Sequence, residues 1–153
     1  MTNHYPHLDA RSAVRDVIAR AVAAAGLAGI GLIHLLDVQG KLEETPYLGW
    51  MYIGLIVTSL GLAGTLVYTS HRRAWAGAAA LASAVIVGYT RSRTTGLPSA
   101  TDDIGNWTEP LGLASLFVEG AVVAVSAYAY GVASRAPLAG VAVRRLEPSF
   151  ARR

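Results

Sequence analysis

The stretch from residue 111 to residue 133, LGLASLFVEGAVVAVSAYAYGVA, constrains the fold more than any other part of the chain. Its 23 residues are enough for a helix that crosses a bilayer, and they include one charged residue, Glu119. Counted from the helix start, that carboxyl group lies roughly 13 Å deep at about 1.5 Å per residue. Ionisable side chains at such depth are costly in hydrocarbon, so Glu119 should face a protein interior and mark a functional site.

Further apolar stretches predict an all-α, polytopic membrane protein, built as an up-down bundle of four transmembrane helices. The predicted spans are residues 17–36, 47–69, 74–90 and 111–133. Charged residues make up only 15% of the chain, against about 25% in soluble domains. Short connections at 38–46 and 70–73 should force neighbouring helices to run antiparallel. The membrane domain therefore covers 17–133, between a polar tail at 1–16 and a basic tail at 134–153.

The basic residues predict which way the helices cross. With a cytoplasmic N-terminus, ten of the thirteen basic residues fall on the inner side, and only Lys41, Arg91 and Arg93 fall on the outer side. Because basic residues are enriched in cytoplasmic loops, both termini should be cytoplasmic. The expected location is the cytoplasmic (inner) membrane of a bacterium, with the lipid bilayer as a partner. The arginines follow this topology rather than a groove, so nothing supports binding to nucleic acid.

Composition and motifs exclude several kinds of chemistry. The chain has no cysteine, which rules out disulfides, thiolate metal sites and cysteine nucleophiles. It contains no P-loop, GxGxxG or HExxH motif, and no internal repeat that would indicate an inverted-repeat transporter. The sequence gives no residue a catalytic role, and it therefore favours a protein that is not an enzyme.

Small residues at helical spacing predict where the helices pack. In the third span they recur every four positions, at Ala76, Ala80, Ala84 and Gly88. The second span has Gly54, Thr58, Gly61 and Thr65, and the fourth has Gly120 and Ala124. Small side chains let helix backbones approach closely where lipid provides no hydrophobic drive, so these rows should be contact faces.

A polar stripe runs along the fourth span and has two interpretations. Its members, each three, four or seven residues from the next, lie on one face of a helix: Gly112, Ser115, Glu119, Ser126 and Tyr130. In one interpretation, Glu119 hydrogen-bonds to a neighbouring helix and only stabilises packing. In the other, it carries a proton, ligates a cation or contacts a quinone.

A histidine near the outer end of the first span suggests a binding site. Asp37 follows His34 by three residues, a spacing at which a carboxylate can orient a metal-ligating imidazole. A polar helix end that meets water explains the pair equally well. Together with Glu44 and Glu119, His34 would suit iron, zinc or manganese, and we mark His34 and Glu119 as candidate metal ligands. The two side chains differ in predicted depth, which argues against direct coordination of one ion by both. A haem with a single histidine ligand is a separate possibility.

The predicted outer segment 91–110 is long and rich in charge. Arg91 and Arg93 lie at its start and Glu109 at its end, and the run from Gly96 to Pro98 indicates a turn. Thr108 is a good N-cap, and Glu109 and Pro110 suit the first turn of a predicted helix, so we interpret Glu109 as a capping or helix-dipole residue rather than a catalyst. An ordered segment of this length could cover the helices as a lid.

Several short runs resemble small four-helix integral membrane proteins of high-GC bacteria. They are His34, the 44–49 stretch ETPYLG, the 93–98 run RTTGLP, and the 107–112 run WTEPLG followed by Glu119. The resemblance covers about residues 17–133. That family has no assigned activity, so the resemblance implies the fold and no mechanism.

Three functions fit these features. The first is a non-enzymatic membrane protein with an outward-facing polar site around His34, Arg91 and Glu119. That site would bind a metal or a small cofactor, or the protein would be an accessory subunit of a larger membrane complex or homo-oligomer. The second is a small proton-coupled transporter that uses Glu119. The third is a quinone- or haem-interacting subunit of an oxidoreductase.

Overall fold

The computed structural model describes the backbone of residues 6–145 and the side chains of residues 10–132. This part of the chain forms four α-helices and no strand, which confirms the all-α prediction. The helices are α1 (Pro6–Glu44), α2 (Pro46–Tyr68), α3 (Arg72–Thr94) and α4 (Pro110–Arg145).

Three of these helices are long and apolar enough, by length and composition, to cross a membrane. The qualifying stretches are Ala10–Glu44, Pro46–Tyr68 and Pro110–Val132. α3 is as long as α2, but arginines at both of its ends leave an uncharged run of only 17 residues, rich in alanine. A fourth transmembrane span at 74–90 therefore stays a prediction.

The helices extend beyond the predicted spans. α1 begins at Pro6, within the segment predicted as a polar tail, because no glycine or proline interrupts residues 7–25. It also continues through most of the predicted connection 38–46, so that Thr45 alone separates α1 from α2. α4 continues through the first part of the predicted basic tail as far as Arg145. The rest of both tails lies outside the described residues.

Each helix of the described chain contacts two others. α1 packs against α2 and α4, and α3 packs against α4, whereas α2 and α3 touch only sparsely. Leu27, Ile30, Leu66, Trp75 and Val122 form the centre of the buried core. Because α2 and α3 pack loosely, space remains between them.

The first connection requires a glycine. A Cβ atom on Gly49 would lie 2.8 Å from the Cα atom of Leu42, a distance that real Cβ atoms do not adopt. Gly49 therefore permits the single-residue turn at Thr45 that brings α2 back along α1.

The predicted contact rows of small residues are wrong for α2, α3 and α4, and on α4 both Gly120 and Ala124 are exposed. Ala76, Ala80 and Ala84 are exposed, and the residues of α3 that face the core are Ala74, Trp75, Ala78 and Ala82. All four residues of the predicted row on α2 are exposed as well. α3 carries two alanine rows two positions apart, and spacing alone does not show which of them meets a partner.

The end of the helices near the α2–α3 connection is held by a polar network. Ser70 donates a hydrogen bond of 2.6 Å to Asp16 and accepts one of 3.2 Å from the indole of Trp75. Asp16 also pairs with Arg20, four residues along α1, at 3.2 Å. These contacts join the first half of α1 to the connection between α2 and α3.

Large apolar side chains cover much of the outer surface. Among the most exposed are Trp50, Val57, Leu36 and Phe117. Exposed apolar area of this extent is unfavourable in water and normal for helices that face lipid.

Candidate functional site

A cavity of about 460 Å³ lies between the helices, at the end where α1 turns into α2 and residues 95–109 join α3 to α4. All four helices and the 95–109 segment contribute to its wall. We call this end of the helices the cavity end. The polar lining residues are His34, Asp37, Lys41, Tyr52, Tyr89, Ser92, Arg93, Asp103, Glu109 and Ser115.

His34 is held in one orientation on the wall contributed by α1. Its side chain is 7% exposed, and Nδ1 lies 2.9 Å from the carbonyl oxygen of Ile30. A carbonyl oxygen only accepts, so Nδ1 carries the hydrogen of this bond and Nε2 is the nitrogen left for a ligand. The ring of Tyr52 meets the imidazole edge-on, with the ring centroids 4.8 Å apart.

Arg93 is a buried cation in the last turn of α3. It is 7% exposed, and Nη1 lies 2.5 Å from Asp103 Oδ1 while Nη2 lies 3.5 Å from Glu109 Oε2. The guanidinium group also lies 4.8 Å from the centre of the Tyr89 ring. Burial alone would lower the pKa of Arg93, but its contacts with Tyr89 and Asp103 outweigh burial and raise that pKa. Arg93 therefore stays charged within the cavity wall.

Glu109 has the capping role that the sequence predicts. Its two carboxylate oxygens accept hydrogen bonds from the backbone N–H groups of Leu111 at 2.9 Å and Gly112 at 2.6 Å. These groups belong to the first turn of α4, where backbone donors have no partner within the helix. Because the same carboxylate contacts Arg93, the start of α4 and the end of α3 share one charge cluster.

The 95–109 segment closes the cavity on the side away from the helix interior. The hydroxyl of Tyr47, at the start of α2, donates a 2.7 Å hydrogen bond to the carbonyl oxygen of Pro98. The backbone N–H of Gly105 donates to the carbonyl oxygen of Arg93 at 2.9 Å. The predicted turn is present: Leu97 and Ala100 exchange two backbone hydrogen bonds, after Gly96 with its φ of +74°.

Apart from Arg93 Nη1, which is ion-paired with Asp103, two donor groups in the cavity wall lack a hydrogen-bond partner among the described residues. Arg93 Nε is buried without a hydrogen-bond acceptor, and so is the hydroxyl of Tyr89, one turn earlier on α3. Buried donors are nearly always satisfied in folded proteins, because an unmet one costs about 1–3 kcal/mol. A ligand with acceptor atoms would complete both groups.

Glu119 lies behind the cavity wall rather than in it. Its side chain is fully buried, and Oε1 accepts a 2.5 Å hydrogen bond from the hydroxyl of Ser115, a lining residue. No described group donates to the other oxygen, Oε2. Ser126, two turns further along α4, is also fully buried, and its hydroxyl has no partner in the described region. The predicted polar stripe thus faces the protein interior.

The cavity brings together some of the candidate residues and leaves others out. His34, Asp37, Arg93 and Glu109 line it. Three other candidates do not. Glu44 is 67% exposed and pairs with Lys41 at 3.2 Å, Arg91 is exposed, and Glu119 reaches the cavity only through Ser115.

The described side chains form no group of three or more His, Cys, Asp or Glu residues that could hold a metal ion. His34 lines the cavity and Glu119 does not, so the structure gives no support to shared coordination by the two. The metal or haem site stays a prediction.

Several polar lining residues, among them Lys41, Tyr52 and Tyr89, do not stand out as site residues in the sequence. Tyr52 and Tyr89 resemble ordinary interfacial aromatics in sequence, and Lys41 resembles a solvated residue of an outer loop. Asp103 resembles a solvated turn residue in sequence, and in the structure it pairs with Arg93. A usable signal was the four-residue spacing of Tyr89 and Arg93, which places both on one face of α3.

Comparison of the chain with protein-family models, with curated proteins and with solved structures finds no match. The resemblance to four-helix membrane proteins of high-GC bacteria therefore stays an expectation. Any functional conclusion depends on the geometry of the cavity.

Proposed function

We propose that the protein is a multi-pass protein of a bacterial cytoplasmic membrane. Its four helices would form an up-down bundle with both termini in the cytoplasm. Three helices long and apolar enough to cross a membrane support this proposal, as do the large exposed apolar side chains. The ten-to-three distribution of basic residues supports the orientation, which places the cavity end outside.

Within that membrane protein, we propose that the cavity binds a small amphipathic molecule and that the protein is not an enzyme. The volume of about 460 Å³ falls in the range of roughly 300–1,000 Å³ that is usual for small-molecule sites. Leu48, Leu55, Leu81 and Val85 supply apolar wall, and the polar side chains named above complete the lining. The observation that carries the proposal is the buried Arg93 Nε in that wall, a donor without an acceptor.

A small molecule fits the site better than a bare metal ion. Hard and borderline metals need several carboxylate or imidazole ligands around one point. In the described region the carboxylates nearest Arg93 are already engaged, Asp103 with the guanidinium group and Glu109 with the N-terminus of α4. The buried wall groups without a partner, Arg93 Nε and the Tyr89 hydroxyl, offer hydrogens rather than lone pairs for a cation, and the free Nε2 of His34 belongs to no group of three or more candidate ligands in the described region.

The proposal is tested by filling the cavity from a position that tolerates it. Gly88 lines the cavity, and a Cβ atom added there meets no atom within 4 Å. Gly88→Leu should therefore start its side chain in open space and fill part of the cavity. Gly64 on α2 is exposed and equally unobstructed, so Gly64→Leu is the matched control.

Wild type and both variants are purified in detergent, and bound compounds are extracted and identified by mass spectrometry. We expect a compound that copurifies with wild type and Gly64→Leu and is lost from Gly88→Leu. The proposal is overturned if wild type carries no compound at any purification stage, or if Gly88→Leu retains it to the same extent.

A proton-coupled transporter is the second candidate function, and the bond between Ser115 and Glu119 favours it. A fully buried carboxyl group with one oxygen free lies directly behind a cavity residue, as a proton-carrying group would. The test reconstitutes wild type and Glu119→Gln into vesicles that contain a pH-sensitive dye and imposes a potassium diffusion potential. Proton flux that is equal in both proteins would remove Glu119 from any transport mechanism.

A further inference from the structure

The chemistry of the cavity wall restricts which molecules the proposed site can take, and this inference rests on the proposed function. We infer that the ligand is a neutral, lipid-soluble carbonyl compound of the quinone class. It would reach the cavity sideways, from the bilayer, between α2 and α3. A carbonyl oxygen of the ligand would accept hydrogen bonds from Arg93 Nε and the Tyr89 hydroxyl.

The charges of the wall oppose an anion. Lys41 and Arg93 are the cationic lining residues, and Asp37, Asp103 and Glu109 are the anionic ones. The wall therefore has one negative charge in excess when His34 is neutral. A carboxylate or phosphate ligand would add charge of the same sign in a partly buried site, where repulsion is screened less than in water.

The unmet hydrogen bonds call for an acceptor. Arg93 offers only donors, because a guanidinium group has no acceptor atom. Arg93 Nη1 and Nη2 face the carboxylates of Asp103 and Glu109, which leaves Nε for another partner. The Tyr89 hydroxyl is buried beside the guanidinium group and likewise has no acceptor in the described region. A neutral carbonyl oxygen satisfies these donors without adding charge.

The helix arrangement favours access from lipid. α2 and α3 touch only sparsely, and the cavity is bounded by Met51 and Leu55 from α2 and by Ala84 and Val85 from α3. Met51 is 63% exposed and Ala84 is also exposed, although both belong to the cavity wall. The cavity therefore reaches the surface between these helices, at the height of their apolar stretches. A molecule dissolved in the bilayer can use this route, and a charged one would meet a barrier there.

The experiment titrates the purified protein in detergent with ubiquinone-1, a short-chain quinone, and measures tryptophan fluorescence. The ring of Trp107 lies 6.2 Å from the ring of Tyr89, so a quinone bound at Tyr89 should quench it. We expect saturable quenching of wild type that is lost in Gly88→Leu. Tyr89→Phe removes one donor and should weaken binding about fivefold. The matched control Tyr68→Phe, at an exposed position of α2, should bind as wild type does.

A second titration, with the single-chain anion decanoate, tests the class of ligand separately from the existence of a small-molecule site. In a calorimetric titration, which needs no quenching group, we expect decanoate to produce no saturable signal. If decanoate binds and ubiquinone-1 does not, the ligand class is wrong but the small-molecule site stands. If Gly88→Leu or Tyr89→Phe binds ubiquinone-1 as tightly as wild type, the assigned position is wrong. If neither compound binds and nothing copurifies with wild type, the proposed function fails as well.

Discussion

Arg93 Nη1 lies 2.5 Å from Asp103 Oδ1, and this ion pair connects the last turn of α3 to the middle of the 95–109 segment. One partner is buried and the other is half exposed, so the pair lies at the boundary between the cavity and the solvent. The same guanidinium group supplies the unmet donor Nε. The contact that holds the cover of the cavity therefore also orients the group that would recognise a ligand.

Asp103→Asn should loosen the cover. The neutral side chain keeps its size but loses the charge that Arg93 faces, and a partly exposed ion pair contributes about 1 kcal/mol. Hydrogen exchange of backbone amides in residues 95–109 should become about fivefold faster, while exchange in the helix centres stays the same. Asp102→Asn removes an exposed neighbouring charge and is the control. Equal exchange in both variants would show that the ion pair does not hold the segment.

Gly112→Ala should destabilise the start of α4. An added Cβ atom would lie 2.5 Å from the ring of Tyr89 and 2.8 Å from Glu109 Oε2, so the helix cap and the cavity wall would both have to move. Overpacking of this kind costs about 1–3 kcal/mol. Gly120→Ala adds the same methyl group to α4 where nothing lies within 4 Å, and it should gain roughly 0.5–1 kcal/mol. Thermal unfolding in detergent measures both, and a Gly112→Ala protein as stable as Gly120→Ala would contradict the packing described here.

The positions of the helices follow from the sequence, and their ends and faces do not. A run such as 47–69 is long and apolar, and α2 forms there because its backbone polar groups can be satisfied within the helix. Where a helix stops depends on whether something breaks it, and residues 38–44 contain no breaker strong enough to end α1. Which alanine row of α3 is buried depends on contacts with α4 and is not encoded in spacing.

The candidate site was predictable only in part, for a similar reason. The isolated charge at Glu119 and the capping pattern at Glu109 are local signals: Glu119 has its partner on its own helix, and Glu109 has its partners in the helix that it precedes. The contact between Arg93 and Asp103 joins the end of α3 to the 95–109 segment. The contact between Tyr47 and Pro98 joins residues that are 51 positions apart. Contacts between residues distant in sequence arise from the folded arrangement, which composition and periodicity do not determine.

Substitution of Glu119 should show how far its acceptor role stabilises the fold. Glu119→Ala removes a fully buried side chain and leaves the Ser115 hydroxyl without its acceptor, at a cost of about 2–5 kcal/mol. Glu119→Gln keeps the shape and an acceptor oxygen and should cost less than about 1 kcal/mol. Glu43→Ala at an exposed position of α1 should change stability by no more than about 0.5 kcal/mol. Thermal unfolding in detergent gives the order, and equal losses in Glu119→Gln and Glu119→Ala would mean that the acid itself is needed.

A bulky residue at the gap between α2 and α3 should slow access to the cavity. Ala84→Phe places a ring at an exposed lining position, whereas Ser83→Phe places the same ring on the exposed surface of α3 outside the cavity lining. With ubiquinone-1 as the probe, stopped-flow quenching should give an association rate about tenfold slower for Ala84→Phe than for wild type. Ser83→Phe should associate as wild type does. If both variants associate at the wild-type rate, the molecule reaches the cavity by another route, past the 95–109 segment.

Whether α3 crosses the membrane is the part of the topology that one pair of labels can decide. Because the chain has no cysteine, His71→Cys and Asp102→Cys each create a single labelling site. The first lies just before α3, and the second lies after α3, in the 95–109 segment. If α3 crosses the membrane and the N-terminus is cytoplasmic, a membrane-impermeant maleimide should label Asp102→Cys in intact cells. It should label His71→Cys only after permeabilisation, and the wild-type chain, which has no thiol, is the control. Labelling of both positions from the same side would mean that α3 does not cross, and the three apolar helices would then be the only spans among the described residues. The reverse pattern would invert the orientation and place the cavity end in the cytoplasm. That result would contradict the orientation predicted from the distribution of basic residues.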